Sequence, residues 1–204
     1  MREENKAARQ RQIEKAAYAV LDKYGYEGVS MLKIARHAKA SNETLYRWYG
    51  DKRGLFRALV THNASEIKKL LEEGLSAGSP AVETLRQMGP ILLSMLTGPR
   101  AVSLNRAAAS DPTGELGREI SKSGRETIAP LIGRIIARAA GERGLDIGDA
   151  GEAASIYINL LVGDLQIRRV IGREPAPDQT FIHRRSEQAL ANFLKIFGRQ
   201  EPAN

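Results

Sequence analysis

Ser30 and Ser41 each stand directly before a short helix-forming run, and only a few residues separate the two runs. A serine at an N-cap accepts a hydrogen bond from a free backbone N–H one turn on, so each serine marks a helix start. After Ser30 the apolar positions are Leu32, Ile34, Ala35 and Ala38. Lys39 and Ala40 form a tight turn, and the run NETLYRWY that follows Ser41 ends near Gly50. Helix, short turn and helix over residues 30–49 make a helix-turn-helix arrangement, whose second helix has the form that enters a DNA major groove.

The flanking segments also read as helix. Ile13, Ala16, Ala17, Val20, Leu21 and Tyr24 recur at spacings of three and four, with Gly25 as the stop. Tyr26 and Val29 tuck back as core anchors. Asp51 caps a fourth helix that passes Leu55, Phe56, Leu59, Val60, Ile67, Leu70 and Leu71 to about Gly74. The segment SAGSP at 76–80 breaks the pattern. The expected organisation is a flexible basic arm over 1–8, a DNA-binding module over 9–75, and a helical body over 76–204. Arg2, Arg9 and Arg11 fall in or beside that arm, and a solvated tail accounts for them more simply than a minor-groove contact.

Within the body the spacing predicts helices over 80–96, Gly98-Pro99 to Ala109, about 115–140, about 149–171 and about 179–197, with Pro90 and Pro130 inside two of them. Asp111-Pro112-Thr113-Gly114 is a loop. No β-branched run alternates with a period of two, so the fold class is all-α with about nine helices. Two late helices demand burial: AASIYINLLVGDL (153–165) is apolar nearly all round, and the last helix carries Phe181, Ile182, Leu190, Phe193, Leu194 and Phe197. Two such helices per chain suit a four-helix homodimer interface, for which we select Ile156, Leu160, Leu190, Phe193, Leu194 and Phe197. Asp164 follows Gly163 in this apolar setting and is expected to pair with Arg168, to cap a kink or to face a cationic ligand.

Charge placement narrows the function. Residues 1–60 hold 13 Lys and Arg against 7 Asp and Glu, so most of the net +7 lies in the first third of the chain. That asymmetry favours a nucleic-acid-binding module on a nearly neutral body. The chain has no cysteine, which excludes disulfides and Cys-based zinc sites, and its three histidines show no metal-ligand spacing. No metal, cofactor or catalytic residue is expected. We find no Gly-rich phosphate loop, HExxH, GxSxG or Ser/His/Asp set, so an enzyme is disfavoured. The charged start MREENKAARQRQ is no secretory signal, and no apolar run suits a membrane span, so the expected location is the cytoplasm.

The motifs Ile13-x-x-Ala16-Ala17, Gly25-Tyr26-x-x-Val29-Ser30, Ile34-Ala35, Ser41-x-x-Thr44-Leu45-Tyr46, Tyr49 and Lys52-x-x-Leu55 resemble the DNA-binding domain of the tetracycline-repressor (TetR-like) regulators. The body is similar to the AefR-like C-terminal type. The resemblance implies a homodimeric, ligand-responsive regulator, most simply a repressor, that binds a palindromic double-stranded DNA operator through residues 41–49. The alternative is a helical adaptor without sequence-specific DNA binding. Lys39 stands where that family often has glycine, which costs on the order of 1 kcal/mol if the position needs a positive φ.

The candidate DNA-binding residues are Ser30, Ser41, Asn42, Glu43, Thr44, Tyr46, Arg47, Trp48 and Lys52. Thr44 lies in the first turn of the reading helix, Tyr46 matches the family's phosphate-contacting tyrosine, and Lys52 adds charge at a helix N-terminus. Glu43 accepts from a cytosine amino group or, more simply, pairs with Arg47 one turn on, worth about 0.2–0.5 kcal/mol. Leu45, Ile34 and Ala35 are core. A candidate pocket for a small apolar or amphipathic effector comprises Met88, Leu92, Met95, Leu96, Leu104, Asn105, Tyr157 and Asn159, although a Met/Leu stripe is more often plain core.

Overall fold

The computed structural model describes residues 2–198, with side chains described from residue 4 onward. The helices are α1 (Arg2–Tyr24), α2 (Met31–His37), α3 (Asn42–Tyr49), α4 (Lys52–Asn63), α5 (Ser65–Ser76), α6 (Ala81–Thr97), α7 (Pro99–Ala109), α8 (Glu115–Ile120), α9 (Glu126–Arg143), α10 (Ala150–Val162), α11 (Leu165–Val170) and α12 (Gln179–Phe197). A π-helical turn, Ser121–Arg125, joins α8 to α9. No strand occurs among the described residues, and the fold is all-α.

The chain divides into two compact units. Among the described residues, the first comprises 2–62 and 103–123, the second 63–102 and 124–198. This differs from the boundary expected near residue 76. The break falls earlier because α4 ends at Asn63, and Ile67 and Leu71 of α5 are buried in the second unit's core. Residues 103–123, read from sequence as body, belong to the first unit: Leu104, Ala107 and Leu116 are buried with Ile13, Val20 and Leu55.

In the first unit α1 packs on α2, and α2 on α3. Residues 2–8 are helical, not a flexible arm, because a run rich in Ala, Arg, Glu, Lys and Gln contains nothing that stops a helix. Gly25 ends α1 in the left-handed region (φ 64°), with its N–H donating to the Leu21 carbonyl at 2.9 Å. In α2 the buried stripe is Met31, Ile34, Ala35 and Ala38, whereas Leu32 is 48% exposed. Positions 31, 34, 35 and 38 follow helical spacing without a gap, and Leu32 lies off that face.

The α2–α3 turn is a Schellman arrangement. Lys39 N–H donates to the Arg36 carbonyl at 3.2 Å and Ala40 N–H to the Ala35 carbonyl at 2.9 Å. It places Lys39 at φ 49°, the sole non-glycine positive φ among the described residues.

The second unit is built around α6, which packs against α5, α9, α10, α11 and α12. Ala81, Leu85, Met88, Leu92 and Leu93 of α6 lie in its core with Ile132, Ile135, Tyr157, Leu190 and Phe193. α6 runs through Pro90 and α9 through Pro130. The helix expected over 149–171 is two, because Gly163 adopts φ 53°, ψ −131° and stops α10. The helix expected over 115–140 is likewise interrupted by the π-helical turn. No described helix is long and apolar enough to cross a membrane.

Glycine adopts the Lys39 conformation without a Cβ penalty, so Lys39→Gly is expected to raise the free energy of unfolding by about 1 kcal/mol. Urea titration of the two proteins checks this, and equal or lower stability of the variant would remove the strain from the account.

Candidate nucleic-acid interface

The second helix of the helix-turn-helix, α3, is anchored from one side and open on the other. Ser41 caps it: its Oγ accepts from Thr44 N–H at 3.1 Å and lies 2.8 Å from the Thr44 hydroxyl. Leu45 is fully buried, which contributes about 1.5–3 kcal/mol and fixes the helix's rotation about its axis. Asn42, Glu43, Tyr46 and Arg47 are exposed, Tyr46 by 51%. Thr44 and Trp48 are half-buried, and Trp48 meets Tyr49 edge-on at 6.4 Å. Ser30 caps α2, accepting from Lys33 N–H at 3.2 Å.

Among the described residues no ion pair joins Glu43 to Arg47, so the pairing favoured on sequence grounds is corrected. Both side chains are exposed, Glu43 in the first turn of α3 and Arg47 in the last. Lys52 also differs from expectation. Its Nζ donates to the Tyr26 carbonyl at 3.1 Å and lies 4.0 Å over the Tyr26 ring. The ammonium therefore joins the start of α4 to the segment ahead of α2.

One ionic cluster escaped sequence reasoning. Glu119 of α8 is 4% exposed and receives two α4 arginines. Arg57 Nε donates to its Oε2 at 2.8 Å and Arg57 Nη2 to Oε1 at 2.9 Å, while Arg53 Nε donates to Oε1 at 2.9 Å. Arg53 also meets Glu115 at 3.0 Å. The Arg57 hydrogen bonds, together with that of Arg53, outweigh burial and hold the Glu119 carboxyl down at about 2. No pattern in the sequence pairs residues 62 positions apart, so only the fold reveals this lock.

Tyr49 carries a buried hydroxyl with no protein partner, and burial with nearby Glu14 pushes it up to about 12. It acts as a core ring. Asp111 accepts from Leu116 N–H at 2.8 Å and from the Thr113 hydroxyl at 2.7 Å, and these bonds hold its carboxyl below the usual carboxylate range.

The other candidate sets are placed differently. Leu104 is core of the first unit, with half-buried Asn105 beside it on α7. Met88, Leu92 and Tyr157 are core of the second, Met95 and Leu96 pack against that core, and Asn159 is exposed. The Tyr157 hydroxyl donates to the Leu85 carbonyl at 3.3 Å and its ring meets Phe193 at 5.5 Å, so these residues pack on one another. A cleft of about 20 Å³, room for about one water, occurs in the first unit between Tyr26, Lys52 and Phe56.

Of the dimer candidates, Leu190 and Phe193 are buried within the second unit and are corrected to core. Leu194 and Phe197 are half-buried, Leu160 also, and Ile156 is 39% exposed. Asp164 is exposed and pairs with Arg168 at 2.6 Å, one of the roles anticipated for it.

A basic unit that buries one side of a short capped helix and offers its polar side to solvent defines a helix-turn-helix regulator. The chain matches two family models: the bacterial regulatory proteins of the tetR family over residues 13–59, and the AefR-like transcriptional repressor C-terminal domain over residues 83–199. It belongs to the TetR family of transcriptional regulators, with an AefR-like C-terminal domain. This family consists of DNA-binding regulators and not enzymes.

Among similar solved structures is a TetR-family regulator from Mesorhizobium loti, 27% identical, with a TM-score of 0.75 over 95% of this chain and 98% of that one. A TetR regulator from Agrobacterium tumefaciens is 28% identical, with a TM-score of 0.72 over 94% and 95%. The flavonoid-responsive regulator FrrA is 26% identical, with a TM-score of 0.66 over 95% and 100%. YvkB of Bacillus subtilis, an uncharacterized HTH-type regulator, is 25% identical over 152 residues, 72% of this chain and 76% of its own.

The Glu119 lock sets an acid dependence. A carboxyl held near 2 when folded, against 4.5 ordinarily, contributes stability that is full above about pH 4.5 and is lost as pH falls toward 2. Glu119→Gln is expected to lower stability at pH 7 and to flatten its decline between pH 5 and pH 2. Unfolding titrations across that range check both. Parallel pH profiles for the two proteins would show that the lock does not form.

Proposed function

We propose that this chain acts as a homodimeric repressor that reads a palindromic operator with α3 and releases it when a small apolar or amphipathic effector binds the second unit. The observation that carries this reading is the division of α3: Leu45 fully buried, with Asn42, Glu43, Tyr46 and Arg47 exposed on the other faces. Side chains at the helix start reach base edges, while Tyr46, Arg47 and Trp48 contact phosphates that set register. With Glu43 unpaired to Arg47, a contact to a cytosine amino group is its proposed role.

Two-fold symmetry suits both ends of the proposal. A palindrome needs two copies of α3 about one helical turn apart, or a multiple of it. Ile156 and Leu160 of α10, with Ile196 of α12 (55% exposed), give each chain apolar surface for an isologous contact. For the effector, the structural likeness to FrrA, a flavonoid-responsive regulator, supports a small molecule. The Met88, Leu92 and Tyr157 region is the proposed place, entered by repacking of that core. By linkage, an effector that weakens DNA binding is itself bound more weakly by the DNA-loaded protein.

Protection mapping on the DNA flanking this protein's own gene tests the reading, with affinity followed as salt is raised. A footprint with two-fold symmetry and a steep loss of affinity with salt is expected. Protection without sequence preference would favour an architectural or adaptor role. For the dimer, Ile156→Glu places a charge in the proposed contact and should shift the protein to monomer in light scattering. A variant that stays dimeric would place the interface elsewhere.

A further inference from the structure

We propose that Arg9 is a positioning residue for DNA reading: from α1 it closes the turn that carries α3, and it makes no DNA contact of its own. The backbone bonds of the Schellman turn satisfy the carbonyls of Ala35 and Arg36, and those of Ala38 and Lys39 accept neither bond. Arg9 supplies donors to both. Its Nη1 donates to the Ala38 carbonyl at 3.3 Å and its Nη2 to the Lys39 carbonyl. Gln12, one turn along α1, accepts from Nη1 at 2.8 Å and orients the guanidinium.

Three physical points make this contact more than a surface bond. It joins residues 29 and 30 positions apart, so it ties one helix to another. It places a cation at the C-terminus of α2, where the helix dipole favours it. It also acts on a turn whose central residue, Lys39 at φ 49°, lacks glycine's freedom to hold that conformation. The planar guanidinium spans two carbonyls as a fork, which an ammonium cannot do. Ser41, the cap of α3, follows two residues after Lys39, so any rotation of the turn re-aims the exposed face of α3.

A positioning role and a phosphate contact leave different signatures. A cation that neutralises phosphate contributes about 0.9 to the slope of log affinity against log salt. A cation whose donors are taken up inside the protein contributes to affinity and leaves that slope unchanged.

The experiment uses the full chain and a duplex that the wild-type protein selects from a randomised library. Arg9→Ala is expected to bind that duplex about tenfold more weakly with an unaltered salt slope. Amides of residues 38–41 should exchange hydrogen faster in the DNA-free variant. Arg9→Lys should recover part of the affinity, and Lys39→Gly added to Arg9→Ala should recover more, since the turn then holds without help. Lys15→Ala removes an exposed charge from the same helix and gives the baseline. Affinity for Arg9→Ala equal to that baseline would overturn the proposal, as would a slope reduced by about 0.9 per protomer. Should Arg9→Ala fail to fold, Arg9→Lys carries the test, and wild-type affinity and exchange in that variant contradict the role of the fork. If the wild-type protein selects no duplex, sequence-specific reading fails, and exchange at 38–41 alone decides whether Arg9 holds the turn.

Discussion

The turn between α2 and α3 is the constraint on which the DNA-reading unit depends. α3 is only eight residues long, too short to be a stable helix in isolation, so its direction comes from what holds its ends and its buried side. Ser41 satisfies its first turn, Leu45 sinks into the core, and the Schellman bonds at Lys39 and Ala40 set its angle to α2. The polar face of α3 is a consequence of those three anchors, because Leu45 inward leaves Asn42, Glu43, Tyr46 and Arg47 outward.

The charge of this unit is spent in two ways. Arg9, Lys33, Lys52, Arg53 and Arg57 all donate to the protein itself: to carbonyls at residues 28, 26, 38 and 39, or to Glu119. A raw count of 13 cations in the first sixty residues therefore overstates what faces a phosphate backbone. These internal donors fasten α1, α2, α4 and α8 around α3, and the exposed Arg47 stands on α3 itself. Much of the basic excess is thus a scaffold for α3.

Much of this was legible in the sequence, and the reasons are local. N-caps at Ser30 and Ser41, the stop at Gly25 and the bounds of α7 and α12 rest on residues a few positions apart, and they emerge as expected. The failures are non-local or out of phase. Leu32 is an apolar position of α2 yet is 48% exposed, while Met31 completes the buried stripe. Residues 103–123 join the first unit through Leu104, Ala107 and Leu116, which no linear pattern announces. The charges of residues 2–8 suggested a tail, although their helix propensity prevails. Leu190 and Phe193 are apolar enough to suit a partner, but α6 and α10 packed on α12 bury them.

The central claim is that α3 carries the sequence preference of this regulator. Parallel selection from one randomised duplex library, with the wild-type protein and with Asn42→Ala, Glu43→Ala and Thr44→Ala, tests it most directly. The account requires each variant to lose preference at its own symmetric pair of base positions, each mismatch discriminated by about 1–3 kcal/mol less than in the wild type. Identical preferences for all four proteins would contradict it and place base reading outside α3.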